Sequence, residues 1–584
     1  MPLPILFEVL LEAANAAPQR TALRFLDPKG ENKGLTFAVL DQRARCVSEF
    51  LVRRVAAGSA VLLAFPPGLD FLPAFLGCLH ARVLAAPVAA PHRTSDRDRI
   101  EKIAANCDAV IGLTVRELSG KFSKLGGETG TALNRGTLEW VSVEDIFDGD
   151  ASFSTILERR SSSSASRSRA NEVAYIQYTS GSTSVPRGVE VTPGGLVHNL
   201  RCIVDALAIG PEDVCVTWLP HFHDMGLVGT LLAPLFVGAS TIVLSPFDFV
   251  RAPIKWLQAF TDFRGTFTAS PNFGYALCAS RARIMERTGL DLTSWRAAAN
   301  GSETVRADTV RRFIDAFSPA GFAPSAMAPC YGLAEATLVV SMSRPWKPVS
   351  FAGFDRMLLS WGIVQESDAA ATVTLVGCGP PVLGTDIAIV DPVTHLRRAS
   401  NAVGEIWDRC ESVAGGNHNQ DPALFDSFHA LIDDEEGLFL RTGDLGFFHN
   451  GELFVTGRMK DIVIVRGRNI HSEDIELAAQ GAHPELRANR GVAFGVDGDE
   501  EEGVVILQEV KATLSSERTE EVILKVRAAI NSVHGFDPTE IALLPPRTIE
   551  LTSSGKLARF RARAAWTEGR MPYIARWMRR RAGQ

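Results

Sequence analysis

The sequence predicts a layered α/β protein with a smaller domain at its C-terminal end. Short β-branched runs alternate with helix-period patterns through most of the chain, which favours largely parallel sheets covered by helices. The pattern breaks at Gly457-Arg458-Met459-Lys460-Asp461, and about 120 residues follow, enough for a separate domain. The 584 residues, 46% of them hydrophobic, suffice for several cores, or two to four domains at about 150 residues each.

Taken in order, MPLPILFEVLLEAANAAPQR is apolar but has no basic leader and carries Glu8 and Glu12 early. It is expected to form an amphipathic first helix, not a secretory signal. The most apolar later stretch, Val61 to Pro91, is broken by Pro66, Pro67, Asp70, His80 and Arg82, so no bilayer span is expected. Arg159 to Ala170, RRSSSSASRSRA, has no residues for a core and reads as a surface loop. Val173 to Tyr178 is a strand signal, followed by a Gly/Ser/Thr loop and then by Val189-Glu190-Val191. Thr192 then offers an N-cap and Pro193 a first helical residue, with Leu196, Leu200, Ile203 and Leu207 at helical spacing. Glu452 to Thr456 and Ile462 to Val465 read as strands on either side of the pattern break. No repeat period indicates a solenoid.

Composition narrows the function classes. With 60 Lys plus Arg against 67 Asp plus Glu, the formal charge is -7, which excludes a broadly basic nucleic-acid binder. The nine cysteines are scattered without C-x-x-C spacing, so reduced thiols in a soluble cytoplasmic protein are expected. The C-terminal stretch from Gly555 is different: nine basic residues (Lys556, Arg559, Arg561, Arg563, Arg570, Arg576, Arg579, Arg580 and Arg581) oppose only Glu568. It fits either a solvated tail or a docking surface for an acidic partner.

The segment from Tyr178 to Gly188, YTSGSTSVPRG, places hydroxyls, two glycines and Arg187 in a loop leaving a strand. Such a loop can aim N–H and O–H donors at phosphate oxygens while Arg187 supplies charge. A plain flexible connection has the same composition. It is not a P-loop, because G-x-x-x-x-G-K-[ST] is absent.

Further segments follow in a fixed order: Tyr331-Gly332-Leu333-Ala334-Glu335-Ala336-Thr337, Arg441-Thr442-Gly443-Asp444-Leu445-Gly446, Gly457-Arg458-Met459-Lys460-Asp461 and Thr552-Ser553-Ser554-Gly555-Lys556. Together with the phosphate-type loop they resemble the ordered core motifs of the adenylate-forming superfamily, over nearly the whole chain. Phe65 to Phe71, Trp218 to Leu227, Asn300-Gly301-Ser302-Glu303 and Val376-Gly377-Cys378-Gly379 make the resemblance strongest to fatty acyl-AMP ligases.

The resemblance implies a fold with a large multi-subdomain N-terminal domain over residues 1–457, a hinge over 458–461 centred on Lys460, and a small mobile α+β C-terminal domain over 462–584. It implies ATP and Mg²⁺ as cofactors. A fatty acid would be activated to an acyl-adenylate with release of pyrophosphate, then passed to the phosphopantetheine thiol of an acyl carrier protein or polyketide synthase carrier domain. By the same resemblance, Thr179, Ser180, Gly181, Ser182, Thr183, Arg187 and Gly188 would cradle phosphates. Asn300, Gly301, Ser302 and Glu303 would wall the base, Tyr331 would stack on it beside Gly332, and Asp444 with Arg458 would hold the ribose. Glu335 would hold the metal, and Lys556 would contact the reacting carboxylate and α-phosphate. Thr179, Glu335, Arg458 and Lys556 form the expected catalytic set.

His223, Asp224, Met225, Gly226, Ser270, Phe273 and Gly274 are the expected acyl-pocket residues, within the small-residue stretches Met225 to Thr230 and Thr268 to Ala276; both stretches also read as plain core. His221-Phe222-His223-Asp224 has a rival reading as metal ligands. Residues 341–376 are the candidate for the insertion by which such ligases disfavour coenzyme A. One departure stands out: relatives usually carry His-Tyr-Pro-Gln before Asp-Ile-Glu, whereas this chain has Ile470-His471-Ser472-Glu473 before Asp474-Ile475-Glu476. An acyl-CoA synthetase and a non-catalytic adenylate-binding protein are the alternatives, the first distinguished by the insertion and the second by retention of the catalytic set.

Overall fold

The computed structural model describes residues 7, 16–27, 32–91, 94–123, 138–148, 173–179, 187–281, 289–369, 372–419, 425–433, 435–496, 503–512, 514–552 and 556–579. The Arg159 to Ala170 segment, most of the expected first helix, Ser180 to Pro186, Ser553 to Gly555, and Arg580 and Arg581 lie outside them.

Two largely parallel sheets dominate the N-terminal portion. One has eight strands, with Ala297–Gly301, Phe267–Pro271, Val214–Thr217 and Ser240–Val243 at its centre. These are parallel, while the edge strands Val339–Met342 and Lys33–Thr36 run antiparallel to their neighbours. The second has six strands and ends in the hairpin Tyr175–Thr179 with Arg187–Val191. The central strands are buried along nearly their whole length, as expected when helices cover both faces of a parallel sheet. Thr192 caps the helix Pro193–Leu207, its hydroxyl accepting from Gly195 N–H at 3.1 Å, and Pro193 occupies the first turn. A single apolar core joins the two sheets through this helix and Phe71–Ala81.

A four-stranded antiparallel sheet, Asp386–Val390, Gly404–Arg409, Leu440–His449 and Glu452–Arg458, follows. On it sits the hairpin Phe351–Asp355 with Thr372–Val376, held through Phe354, Phe447 and Phe454. Ser341 and Met342, at the start of the candidate insertion, belong to the edge strand of the eight-stranded sheet, and the rest of that range holds the hairpin and the helix Arg356–Ser360 within it.

From Ile462 the chain forms a smaller α+β portion. Its first hairpin, Ile462–Val465 with Arg468–His471, turns through Arg466 and Gly467 with φ of 52° and 76°, the pair of positive values that a tight two-residue hairpin turn requires. A four-stranded sheet, Leu486–Val496, Gly503–Val510, Glu540–Leu544 and Ala575–Met578, packs against Ser472–Gly481 and Ser516–His534. The main core cluster of this portion draws every residue from Val463 onward. Among the described residues no helix is long and apolar enough to cross a membrane.

Candidate active site

A cavity of 620 Å³ lies where the two portions meet. The N-terminal portion contributes strand ends and the loops after them. Thr179 ends and Arg187 begins the two strands of the hairpin of the six-stranded sheet, Ser302 and Glu303 follow a central strand of the other, and its neighbour ends in Tyr331 and Gly332 with Glu335 in the turn after it. Ligands of open α/β sheets collect at such carboxyl ends of strands. Asp444, Arg458 and Lys460 come from the antiparallel sheet and the segment after it, and Lys556 comes from the small portion. Motifs far apart in sequence therefore line one space.

Asp444 organises one side. It is buried, accepts from the Tyr331 hydroxyl at 2.9 Å and pairs with Arg458 Nε at 2.9 Å. The Asp444 carboxylate raises the Arg458 pKa, while burial and Asp444 raise that of Tyr331. Gly443 N–H donates to Glu405 Oε1 at 3.1 Å, and the fully buried Glu405 also receives Trp407 and Arg441, which fixes the turn before Asp444. Gly332 is required by close approach: a Cβ there would stand 1.8 Å from the Leu338 carbonyl oxygen.

Lys556 is a contribution of the small portion to the cavity wall. Burial pushes its pKa down and Arg458 adds repulsion, while Glu303, Asp224 and Asp444 oppose both. A single ammonium thus faces three carboxylates and one guanidinium. Glu335 lines the same cavity, and burial raises its carboxyl pKa. Glu303 is raised by burial as well, although its Oε1 accepts from Phe273 N–H at 2.6 Å. For Asp224, burial works against the charge, but His223 at 2.6 Å and the Met225 N–H at 2.7 Å outweigh it and hold the carboxyl low.

A second cavity of 1080 Å³ shares Thr179, Phe222, His223, Met225, Ser302 and Thr552 with the first. Its walls include Phe65, Phe71, Trp218, Leu231, Leu244 and Phe273. Met225 begins a buried π-helix, Met225–Leu232, a rare form that recurs at functional sites. Gly226 lies under the Pro220 carbonyl, where a Cβ would come within 2.1 Å.

Some expected residues do not line either cavity. Asn300 and Gly301 are enclosed in their strand, Gly301 against Cys330 and Asn300 with no side-chain partner among the described residues. Ser270 is buried with its hydroxyl donating to Pro271 O, Gly274 packs on Ser270 and Trp218, and Gly188 packs on Ile176 and Tyr178. Ser180, Gly181, Ser182 and Thr183 lie outside the described residues. His221 is packed on Phe71 at 4.1 Å between ring centroids, with its pKa pushed down to about 3 by burial. Among the described residues no group of three His, Cys, Asp or Glu forms a metal cage, so the His-x-His-Asp metal reading finds no support. Sequence reasoning missed the contribution of Asp224 to the field around Lys556, the cysteines Cys330 and Cys378 in the wall, and Glu473 and Arg559 at the junction. For these last two the sequence offered the motif departure that includes Glu473 and the basic stretch that includes Arg559.

A family model for AMP-binding enzymes matches residues 10–416. The chain is 36% identical over 574 residues to the medium-chain-fatty-acid–acyl-carrier-protein ligase JamA of Moorena producens, covering 97% of this chain and 95% of that protein. It is 34% identical over 575 residues to the long-chain-fatty-acid–AMP ligase FadD26 of Mycobacterium tuberculosis, covering 94% and 95%. A Legionella pneumophila fatty acyl-adenylate ligase, solved with acyl adenylate and pyrophosphate, superposes with a TM-score of 0.72 at 33% identity, over 98% of this chain and 97% of that one. The chain therefore belongs to the AMP-binding enzyme family, among its fatty acyl-AMP ligases.

Proposed function

We propose that this enzyme activates a fatty acid with ATP, forming an acyl-adenylate and pyrophosphate, and passes the acyl group to a carrier phosphopantetheine thiol. The observation that carries this reading is the convergence of Lys556, Asp444, Arg458 and Glu335 on one cavity that shares a wall with a larger one, whose lining joins apolar side chains such as Phe65, Phe71 and Phe273 to charged ones such as Lys102 and Arg561. In the first step a carboxylate oxygen bonds to the α-phosphorus and the bond to pyrophosphate breaks. Two anions must meet, so the enzyme needs positive charge and positioning more than a general base.

Each side chain has a part in this proposal. Lys556 lies between the two anions and stabilises charge on the five-coordinate phosphorus. Tyr331, held by its bond to Asp444, stacks on the base, with Ser302 and Glu303 beside it. Asp444 accepts from the ribose hydroxyls, and Arg458 orients that carboxylate. Thr179, Arg187 and the loop between them hold the outgoing phosphates. Mg²⁺ fits the donor set, since it takes one or two carboxylates together with phosphate oxygens and Glu335 offers one hard carboxylate on the cavity wall. When bound it neutralises phosphate charge. His223 and Met225 line both cavities and Phe273 lines the second, where the acyl chain lies.

In the second step the thiol sulfur attacks the acyl carbonyl and AMP leaves. We assign residues 1–457 to the large domain, 458–461 to a hinge and 462–584 to a small domain that turns between steps. The hairpin within residues 341–376 restrains that turn, so that coenzyme A is a poor acceptor. The cytoplasmic location is also part of this proposal, supported by nine unpaired thiols, six of them buried. The experiment is Lys556→Ala: acyl-adenylate formation falls by roughly a hundredfold or more, while ATP still binds by calorimetry. A variant with wild-type adenylation contradicts the assignment.

A further inference from the structure

At the junction, a single carboxylate bridges the two portions of the chain. Glu473 begins the helix Ser472–Gly481 of the small portion, and its Oε2 accepts from the Thr304 hydroxyl at 2.8 Å and faces Arg306 Nη2 at 3.5 Å. Thr304 and Arg306 belong to the large portion, directly after Ser302 and Glu303. The other oxygen, Glu473 Oε1, lies 3.4 Å from Arg559 Nη2. Arg559 stands three residues beyond Lys556 and grips Glu476 through two bonds, at 2.7 and 2.8 Å. Asp461, in the proposed hinge, completes the group at 3.8 Å from Arg559.

We infer that Glu473 is a positioning residue that locks the Lys556 segment to the Ser302-Glu303 loop for adenylation and lets go for transfer. Two arginines and a hydroxyl satisfy the half-buried carboxylate from both portions, which makes it a specific joint. A turn of the small portion separates Glu473 from Thr304 and Arg306 but leaves its contact with Arg559 intact, because those two residues travel together. The joint therefore acts in one orientation only.

This inference rests on the proposed two-step reaction, and the experiment separates the two. Pyrophosphate release with dodecanoate and ATP is measured beside transfer from synthetic dodecanoyl-adenylate to a holo acyl carrier protein. Glu473→Ala and Thr304→Val are expected to slow adenylation about tenfold and about threefold, respectively. The KM for ATP and the transfer rate stay within about twofold of wild type, and the melting temperature is unchanged. Glu473→Gln, which keeps the Thr304 bond and loses the charge, falls between wild type and Glu473→Ala. Wild-type adenylation in Glu473→Ala and Thr304→Val overturns the inference, as does an equal loss in both half-reactions with a lowered melting temperature. If the wild-type enzyme makes no acyl-adenylate, or Lys556→Ala makes it at full rate, the proposed reaction itself fails.

Discussion

Residues in this protein are tuned by what surrounds them, and Asp408 gives the sharpest example outside the site. It lies fully buried in the antiparallel sheet, with Cys410 Sγ at 3.5 Å as a weak donor and one oxygen without a partner among the described residues. Burial raises its pKa to about 7. The folded protein thus keeps a proton that the unfolded chain loses near pH 4, and stability falls as pH rises from about 4 to about 7. Asp408→Asn removes that loss. Its gain in unfolding free energy is expected to be about 2 kcal/mol larger at pH 8 than at pH 5.5, measured by urea titration; equal gains at both pH values would contradict the burial account. Lys556 differs from Asp408 in having carboxylates near it that oppose the effect of burial, although burial still pushes its pKa down.

At the scale of elements, local chemistry was readable and long-range pairing was not. The cap at Thr192 with Pro193 after it, the strand before Thr179 and the strands around Gly457 depend on residues close in sequence, and they stand where periodicity and capping put them. Glu473 meets Thr304 across 169 residues, a contact that no local pattern encodes. Likewise Asn300 and Ser270 look like site residues by motif or neighbourhood, yet strand alternation turns their side chains into the sheet's packing. The hairpin unit within residues 341–376 makes its own contact with the small portion: the Trp361 ring lies 3.6 Å from where a Cβ on Gly467 would sit, and Trp361 is otherwise 54% exposed. If that contact restrains the turn, Trp361→Ala should raise dodecanoyl-CoA formation about tenfold over wild type, followed by mass spectrometry. Unchanged CoA use would show that the ring merely covers the turn.

At the scale of the whole molecule, the ordered motifs come together only where residues from both ends of the chain line the same two cavities. Through the resemblance the sequence implies a division near Lys460, and among the described residues one apolar core draws all its members from Val463 onward. Lys460 lies in a single short turn, Met459–Asp461, between strands of the two portions. Lys460→Pro fixes φ at that turn, so adenylation is expected to persist within about threefold while carrier transfer drops more than about tenfold; loss of both steps together would place the pivot elsewhere. The most direct measurement offers the wild-type enzyme dodecanoate, ATP and Mg²⁺, then equal amounts of coenzyme A and a holo acyl carrier protein. Acyl-adenylate that accumulates and then passes to the carrier alone is the predicted result, and efficient formation of the CoA thioester would contradict it.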